Sequence, residues 1–203
     1  MNYILILILS FIIHAQEWNY SADILEKKQE NGKDVRIFKS TSLGNKQVII
    51  YKDTISIYTN QAKQYVENKE LHLLGPVTMI NGNDSLMCEN MIFWYDIDSL
   101  HAFGNVIFKF KNNYVQTDSL IYLKTNGFRG YSFAAKNNSK FFDPKYVINA
   151  ELMSYNDYSQ NMILNNQVVI KSEKQGAIGN YINIEFKDSL IKNMIIKEDA
   201  YMY

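Results

Sequence analysis

Ile57-Tyr58-Thr59-Asn60-Gln61-Ala62, continuing to Leu73-Leu74-Gly75-Pro76-Val77, is the first clear copy of a repeated pattern. The second copy is Leu86-Met87-Cys88-Glu89-Asn90-Met91, continuing to Ala102-Phe103-Gly104-Asn105-Val106. The two copies superpose without a gap at a displacement of 29 residues. Each copy has the alternation of a bent pair of strands, and one pair cannot cover its own apolar face. We therefore expect a stacked array of such pairs.

The remaining copies follow from one anchor residue each, and the anchors are Ala22, Thr59, Cys88, Thr117, Asn149 and Gly179. Two positions before the anchors, the residues are apolar in all copies: Tyr20, Ile57, Leu86, Val115, Val147 and Ala177. The same holds three positions after the anchors: Leu25, Ala62, Met91, Leu120, Leu152 and Ile182. One position after the anchors, most residues are polar: Asp23, Asn60, Glu89, Asp118, Ala150 and Asn180. This polar column predicts a bend in each copy, because Asn and Asp tolerate irregular backbone.

Alternation within each copy separates an inward from an outward face. Met91, Phe93 and Tyr95 would point one way, whereas Asn90, Ile92 and Trp94 would point the other. The predicted fold is all-β, an open jellyroll of antiparallel strand pairs in about six repeats. The inward residues predicted to line an apolar, lipid-binding groove are Ile57, Ala62, Leu86, Met91, Phe93, Val115, Leu120, Tyr122, Val147, Leu152, Ile182 and Ile184. A filled core explains the same apolar columns, so both interpretations stay open here.

Residues 1–16 have the features of an export signal. An apolar run from Ile4 to Ile13 is too short to span a bilayer, which requires about 20 apolar residues. Cleavage after Ala15 or Gln16 would leave one domain, residues 17–203. An uncleaved anchor or a buried first strand are the alternatives. The zero net charge argues against a nucleic-acid partner, and the single Cys88 cannot form an internal disulfide.

No residue constellation predicts catalysis, a metal or a cofactor. His72 and His101 occupy equivalent repeat positions and are expected to stack on neighbouring rungs, without further ligands at metal spacing. Asp96 and Asp98 lie in a predicted turn, where a solvated surface role is favoured over a glycosidase pair. A glycan-active enzyme would need carboxylates clustered on one face, which the sequence does not show. We expect no enzyme activity.

The repeat phrases resemble those of the OstA-like domain family. The phrases are Ala22-Asp23, Thr117-Asp118-Ser119-Leu120-Ile121-Tyr122 and Ala102-Phe103-Gly104-Asn105-Val106-Ile107-Phe108. The resemblance covers the whole mature chain by its repeat period. Two copies depart from the family phrase, since Gly75-Pro76 replaces Gly-Asn and Asn165-Asn166-Gln167-Val168 lacks the glycine.

The resemblance implies a β-taco with a hydrophobic interior and a non-catalytic role in lipopolysaccharide transport. It also implies a periplasmic bridge between inner and outer membranes that holds lipid A acyl chains. The implied partners are lipopolysaccharide or lipid A, other OstA-like domains joined by end-to-end strand addition, and further copies of this chain. A structural or adhesive β-repeat scaffold without lipid is the alternative function.

Overall fold

The computed structural model describes residues 18–41, 47–124, 131–187 and 190–202. The described strands form one 16-stranded, entirely antiparallel sheet, and these residues contain no helix. The predicted all-β open sheet is thus confirmed. The predicted signal, residues 1–16, lies outside the described residues.

The strands are β1 (Asn19–Ser21), β2 (Ile24–Glu30), β3 (Lys33–Lys39), β4 (Val48–Lys52), β5 (Ile55–Thr59), β6 (Gln61–Tyr65), β7 (Glu70–Asn81), β8 (Asp84–Trp94), β9 (Ser99–Phe110), β10 (Asn113–Lys124), β11 (Tyr131–Phe142), β12 (Tyr146–Asn156), β13 (Asn161–Ser172), β14 (Gly176–Lys187), β15 (Leu190–Lys197) and β16 (Tyr201–Met202).

The sheet is folded over itself into two facing walls. Strands β2, β3, β6 and β15 belong to wall 1, whereas β1, β4, β5 and β16 belong to wall 2. Strands β7 to β14 are long enough to cross from one wall to the other at a central bend. Inward side chains from opposite walls meet, as the Phe110 and Phe133 rings do at 5.8 Å. We call the β1 and β2 edge the first end, and the open edge opposite the bends the mouth.

The bends coincide with shifts in strand register. In β7 the shift lies between Leu74 and Val77, and in β10 it lies between Thr117 and Ser119. Such bulges bend a strand and increase its twist. The polar column of the sequence lies on this line, so its predicted role at the bends is confirmed for Asp118.

Every second long strand bends through left-handed residues. These residues are Gly75 in β7, Gly104 and Asn105 in β9, Asn137 and Asn138 in β11, and Asn166 and Gln167 in β13. Asn and Gly accept positive φ at lower cost than other residues. Side chains then link adjacent bends, since Nδ2 of Asn105 donates to Oε1 of Glu89 at 2.6 Å. A polar line therefore runs along the fold where the two walls join.

The fifth copy of the sequence frame is displaced by one residue. Val147 and Leu152 are partly exposed and lie outside the buried core, so the expectation that they face inward is wrong. Ile148 and Met153 take the inward positions and are fully buried. A shift of one residue reverses the faces of a strand. The shift follows the irregular step before this copy, where the spacing of anchors rises from 29 to 32 residues.

Candidate binding cleft

A cleft opens at the mouth between the two walls. Wall 2 contributes residues of β5, β7, β8 and β9, and wall 1 contributes residues of β8, β9 and β10. The apolar residues that line the cleft are Ile55, Met79, Leu86, Phe93, Leu100 and Phe108. The cleft encloses a cavity of about 100 Å³. Strand alternation explains the lining, because these side chains point inward from both walls.

Polar groups form the rim of the cleft. Nζ of Lys124 lies 2.6 Å from Oδ2 of Asp98, both on wall 1. Across the mouth, Oδ1 of Asp84 accepts a hydrogen bond from the Lys111 backbone N–H at 3.3 Å. Asn81 lies beside Asp84 and accepts from Thr54 at 2.8 Å. The site therefore combines an apolar floor with a charged, hydrogen-bonding edge.

An aromatic cluster fills the interior next to the cleft. It comprises Phe108, Phe110, Tyr122, Tyr131, Phe133 and Tyr155. The rings bridge the walls: Phe108 of wall 2 meets Tyr122 of wall 1 at 5.9 Å, edge to face. Burial raises the pKa of Tyr122 to about 12 and also raises that of Tyr131, whose buried hydroxyl has no partner among the described residues. A smaller cavity of about 30 Å³ adjoins the cluster at the mouth.

Aromatic residues also close the first end of the interior. Trp18 packs edge to face on Phe93 at 5.3 Å, and Tyr20 stacks on Phe38 at 4.6 Å. Trp18 and Tyr20 lie just beyond the predicted signal, and the sequence analysis did not assign them this role. Their alternate spacing, with both rings on one face of a strand, was the available signal.

Ten of the predicted groove residues point into the interior. They are Ile57, Ala62, Leu86, Met91, Phe93, Val115, Leu120, Tyr122, Ile182 and Ile184. Only three of the ten, Leu86, Phe93 and Tyr122, line the cleft. The other seven belong to the buried core. Their role in lipid binding stays a prediction.

The sequence frame missed four apolar residues of the cleft: Ile55, Met79, Leu100 and Phe108. Phe108 lies in the repeat phrase that begins at Ala102, and Leu100 lies two residues before Ala102. Extending the alternation of β9 in both directions identifies both residues.

The histidines and aspartates that were considered for a metal site or a carboxylate pair lie apart from one another. His72 and His101 lie on the outer face of wall 1, but Ile92 of β8 lies between them in register, so they do not stack. His72 contacts Glu70 at 3.2 Å, and His101 contacts Ser119 at 2.9 Å. Asp98 pairs with Lys124, as described above. Across the described ranges, His, Cys, Asp and Glu residues form no group suited to a metal ion.

The fold and the cleft define a class of protein: a long antiparallel sheet, folded over itself, with an apolar interior open along one side. The family model of OstA-like proteins matches residues 19–178, and the chain belongs to this family. The described part of the chain has no helix with the length and apolar character needed to cross a bilayer.

Among solved structures, the chain is similar to LptH, the LptA homologous periplasmic component of the conserved lipopolysaccharide transport device from Pseudomonas aeruginosa. The identity is 10%, over 93% of this chain and 94% of LptH, with a TM-score of 0.21. No curated protein sequence matches the chain significantly.

Proposed function

We propose that the protein is a non-catalytic periplasmic bridge in lipopolysaccharide transport to the outer membrane, and that its cleft holds acyl chains. Membership of the OstA-like family supports the transport role. The cleft between the walls carries the proposal, because an apolar floor, a cavity and a polar rim meet there.

An acyl chain matches this chemistry. Acyl chains gain binding free energy from buried apolar area and need few directional contacts, which suits a floor of Leu86, Phe93 and Leu100. The attached headgroup would lie against the charged rim at Asp98 and Lys124. The cavity of about 100 Å³ is smaller than typical ligand pockets of roughly 300–1,000 Å³. Occupancy by a whole acyl chain therefore requires the two walls to move apart at the mouth.

The ends of the sheet suit partner binding by strand addition. In the described part of the chain, β2 pairs only with β3, and β15 pairs only with β14. Each of these strands keeps one free row of backbone groups, which a strand from another OstA-like domain or a second copy can complete. End-to-end addition would extend the interior from one molecule to the next.

Photo-crosslinking in cells tests the proposal. A benzophenone amino acid at Phe93 or Leu100 should crosslink to lipopolysaccharide, because both positions face the cleft. The same substitution at Ile92, on the outer face of β8, is the matched control and should give no adduct. Depletion of the protein should also make lipopolysaccharide accumulate at the inner membrane. Absence of adducts at every inward position, Met91 and Leu120 included, would refute lipid carriage.

A filled structural scaffold is the second candidate, and the aromatic cluster favours it. Six rings occupy the space that a continuous groove would need, as in a packed core. The variant Met79→Trp separates the two candidates, since the indole would occupy the cleft. A scaffold keeps its cellular function in this variant, whereas a lipid carrier loses it. Thr78→Trp, on the outer face beside Met79, controls for the added ring.

A further inference from the structure

The charged side chains on the outer face of the first end have polar or charged partners. On strands β2, β3 and β6 each acidic side chain of this face contacts a lysine. Glu26 lies 2.7 Å from Lys39 and 3.0 Å from Lys28, and Glu30 lies 2.8 Å from Lys63. Beneath these pairs Val35 and Ile37 are buried. Lys33 of the same face donates to Oδ1 of Asn68 at 3.1 Å, so each lysine of this face has a partner.

The inner face of the same strands is different. Lys27 of β2 stands directly opposite Arg36 of β3, and the register places both on the face that carries Gln64 of β6. Neither cation has an ion-pair partner among the described residues. Asp34 is on this face, two residues from Arg36 along β3, where it accepts a hydrogen bond from Gln29 at 3.3 Å. Like charges placed directly opposite destabilise a sheet unless a third group compensates them.

Unsatisfied polar groups lie beside the two cations. Gln64 is 7% exposed, and its Oε1 is buried without a hydrogen-bond partner. Its Nε2 donates to the Tyr20 hydroxyl at 2.9 Å, and that hydroxyl proton has no acceptor in the described residues. Arg36 is close enough to Tyr20 to act on its pKa, although burial has the larger effect and raises that pKa, so the hydroxyl remains a donor. A 180° flip of the Gln64 side-chain amide would let the Tyr20 hydroxyl donate to Oε1. Nε2 would then be free to donate a hydrogen bond to another group.

We propose that Lys27, Arg36, Gln64 and Tyr20 form a binding site for an anionic group, a phosphate or carboxylate, at the first end of the interior. The guanidinium can hold two oxygens of such a group, and the ammonium adds a point charge. The anion would relieve the repulsion between Lys27 and Arg36 and satisfy the buried amide. This inference rests on the proposed function in one respect: the anion would belong to an amphiphile whose apolar part lies between the walls.

Calorimetric titration of the purified mature chain with three probes tests the site. The probes are dodecyl phosphate, dodecyl maltoside and inorganic phosphate. We expect dodecyl phosphate to bind at least about tenfold more tightly than dodecyl maltoside, as charge-assisted hydrogen bonds would require. Arg36→Gln and Lys27→Gln should each remove most of this preference. Lys28→Gln removes the same charge from the adjacent outward position and should leave it unchanged.

The outcomes separate this inference from the proposed function. Equal affinity of dodecyl phosphate for the wild type and Arg36→Gln overturns the anion site but leaves lipid carriage intact. If inorganic phosphate binds and this binding is lost in Arg36→Gln, the anion site is supported. If, in addition, neither dodecyl probe binds more tightly than inorganic phosphate, the result counts against an acyl-chain carrier. If no probe carrying phosphate binds, the site is refuted. Circular dichroism of each variant confirms that it is folded.

Discussion

The cleft and the aromatic cluster are built between the same two walls, yet the cleft encloses about 100 Å³ and the cavity beside the cluster only about 30 Å³. Strands of 11 or 12 residues form both regions, with bends at equivalent positions. The cleft is lined largely by aliphatic side chains such as Leu86 and Leu100, whereas rings such as Phe110 and Tyr131 bridge the walls in the cluster. The repeat therefore sets the spacing of the walls, and the size of the inward side chains decides whether a cavity remains.

The bends of the two regions also differ. Strands β7 and β9, which line the cleft, bend at Gly75 and Gly104. Strand β11, which contributes Tyr131 and Phe133 to the cluster, and β13 beyond it bend at Asn-Asn and Asn-Gln pairs instead. A Cβ on Gly104 would lie 2.8 Å from Cβ of Glu89, so the cleft bends leave no room for a side chain.

Removing a ring from the cluster should have the largest effect. Phe110→Ala takes away contacts with Phe108, Phe133 and Phe141, and we expect the free energy of unfolding to fall by about 3–5 kcal/mol. Urea denaturation measures this loss. Tyr114→Ala, which removes an outer-face ring that stacks on Phe142, should cost only about 1 kcal/mol. Equal losses in the two variants would mean that Phe110 is packed no better than a ring on the outer face.

A side chain at the cleft bend should have the next largest effect. Gly104 has φ +79°, and a Cβ there would overlap the Glu89 side chain that holds Asn105. We expect Gly104→Ala to destabilise the protein by about 1–3 kcal/mol in urea denaturation. Gly82→Ala, in the β7–β8 turn with φ +59° and open space around it, should cost less. A loss at Gly82 as large as at Gly104 would contradict the steric explanation.

Thiol labelling compares the opening of the two regions. Cys88 is 7% exposed, and burial raises its pKa to about 12, so it should react only when the fold opens. Ala150→Cys in a Cys88→Ala background places a thiol near the bend of β12 in the same wall, beyond the cluster. We expect Cys88 to be labelled about tenfold faster, equivalent to about 1.4 kcal/mol of opening free energy. Equal labelling rates of the two thiols would contradict the expected difference in local stability between the two regions.

Two buried threonines at the bends should give the smallest effect. Oγ1 of Thr59 donates to the Leu74 carbonyl at 2.9 Å, on the cleft side. Oγ1 of Thr117 donates to the Lys136 carbonyl at 2.8 Å and also contacts Oγ of Ser139 at 3.0 Å. Each change to Val should cost about 1 kcal/mol, with the larger loss at Thr117 because Ser139 loses a partner as well. Thermal denaturation of the two variants, side by side, resolves their order.

Much of the fold could be read from the spacing of residues. The 29-residue step placed the bends at Glu89 and Asp118, and alternation assigned the faces of Met91, Phe93 and Ile184. The frame failed at Val147 and Leu152 because an irregular step displaced it by one residue, which local composition cannot detect. The cleft was harder to predict, since Leu86 and Val115 occupy the same column of the repeat although only Leu86 lines the cleft.

Sequence periodicity thus established the strands, their bends, their inward faces and the family, because these depend on local alternation and on backbone tolerance at single positions. Only the tertiary structure decided where space remains between the walls, how Trp18 and Tyr20 close the first end, and that Lys27 stands opposite Arg36 on its inward face. Those features depend on which side chains meet when the strands pair and the sheet folds over itself, and on the sizes and charges of those side chains.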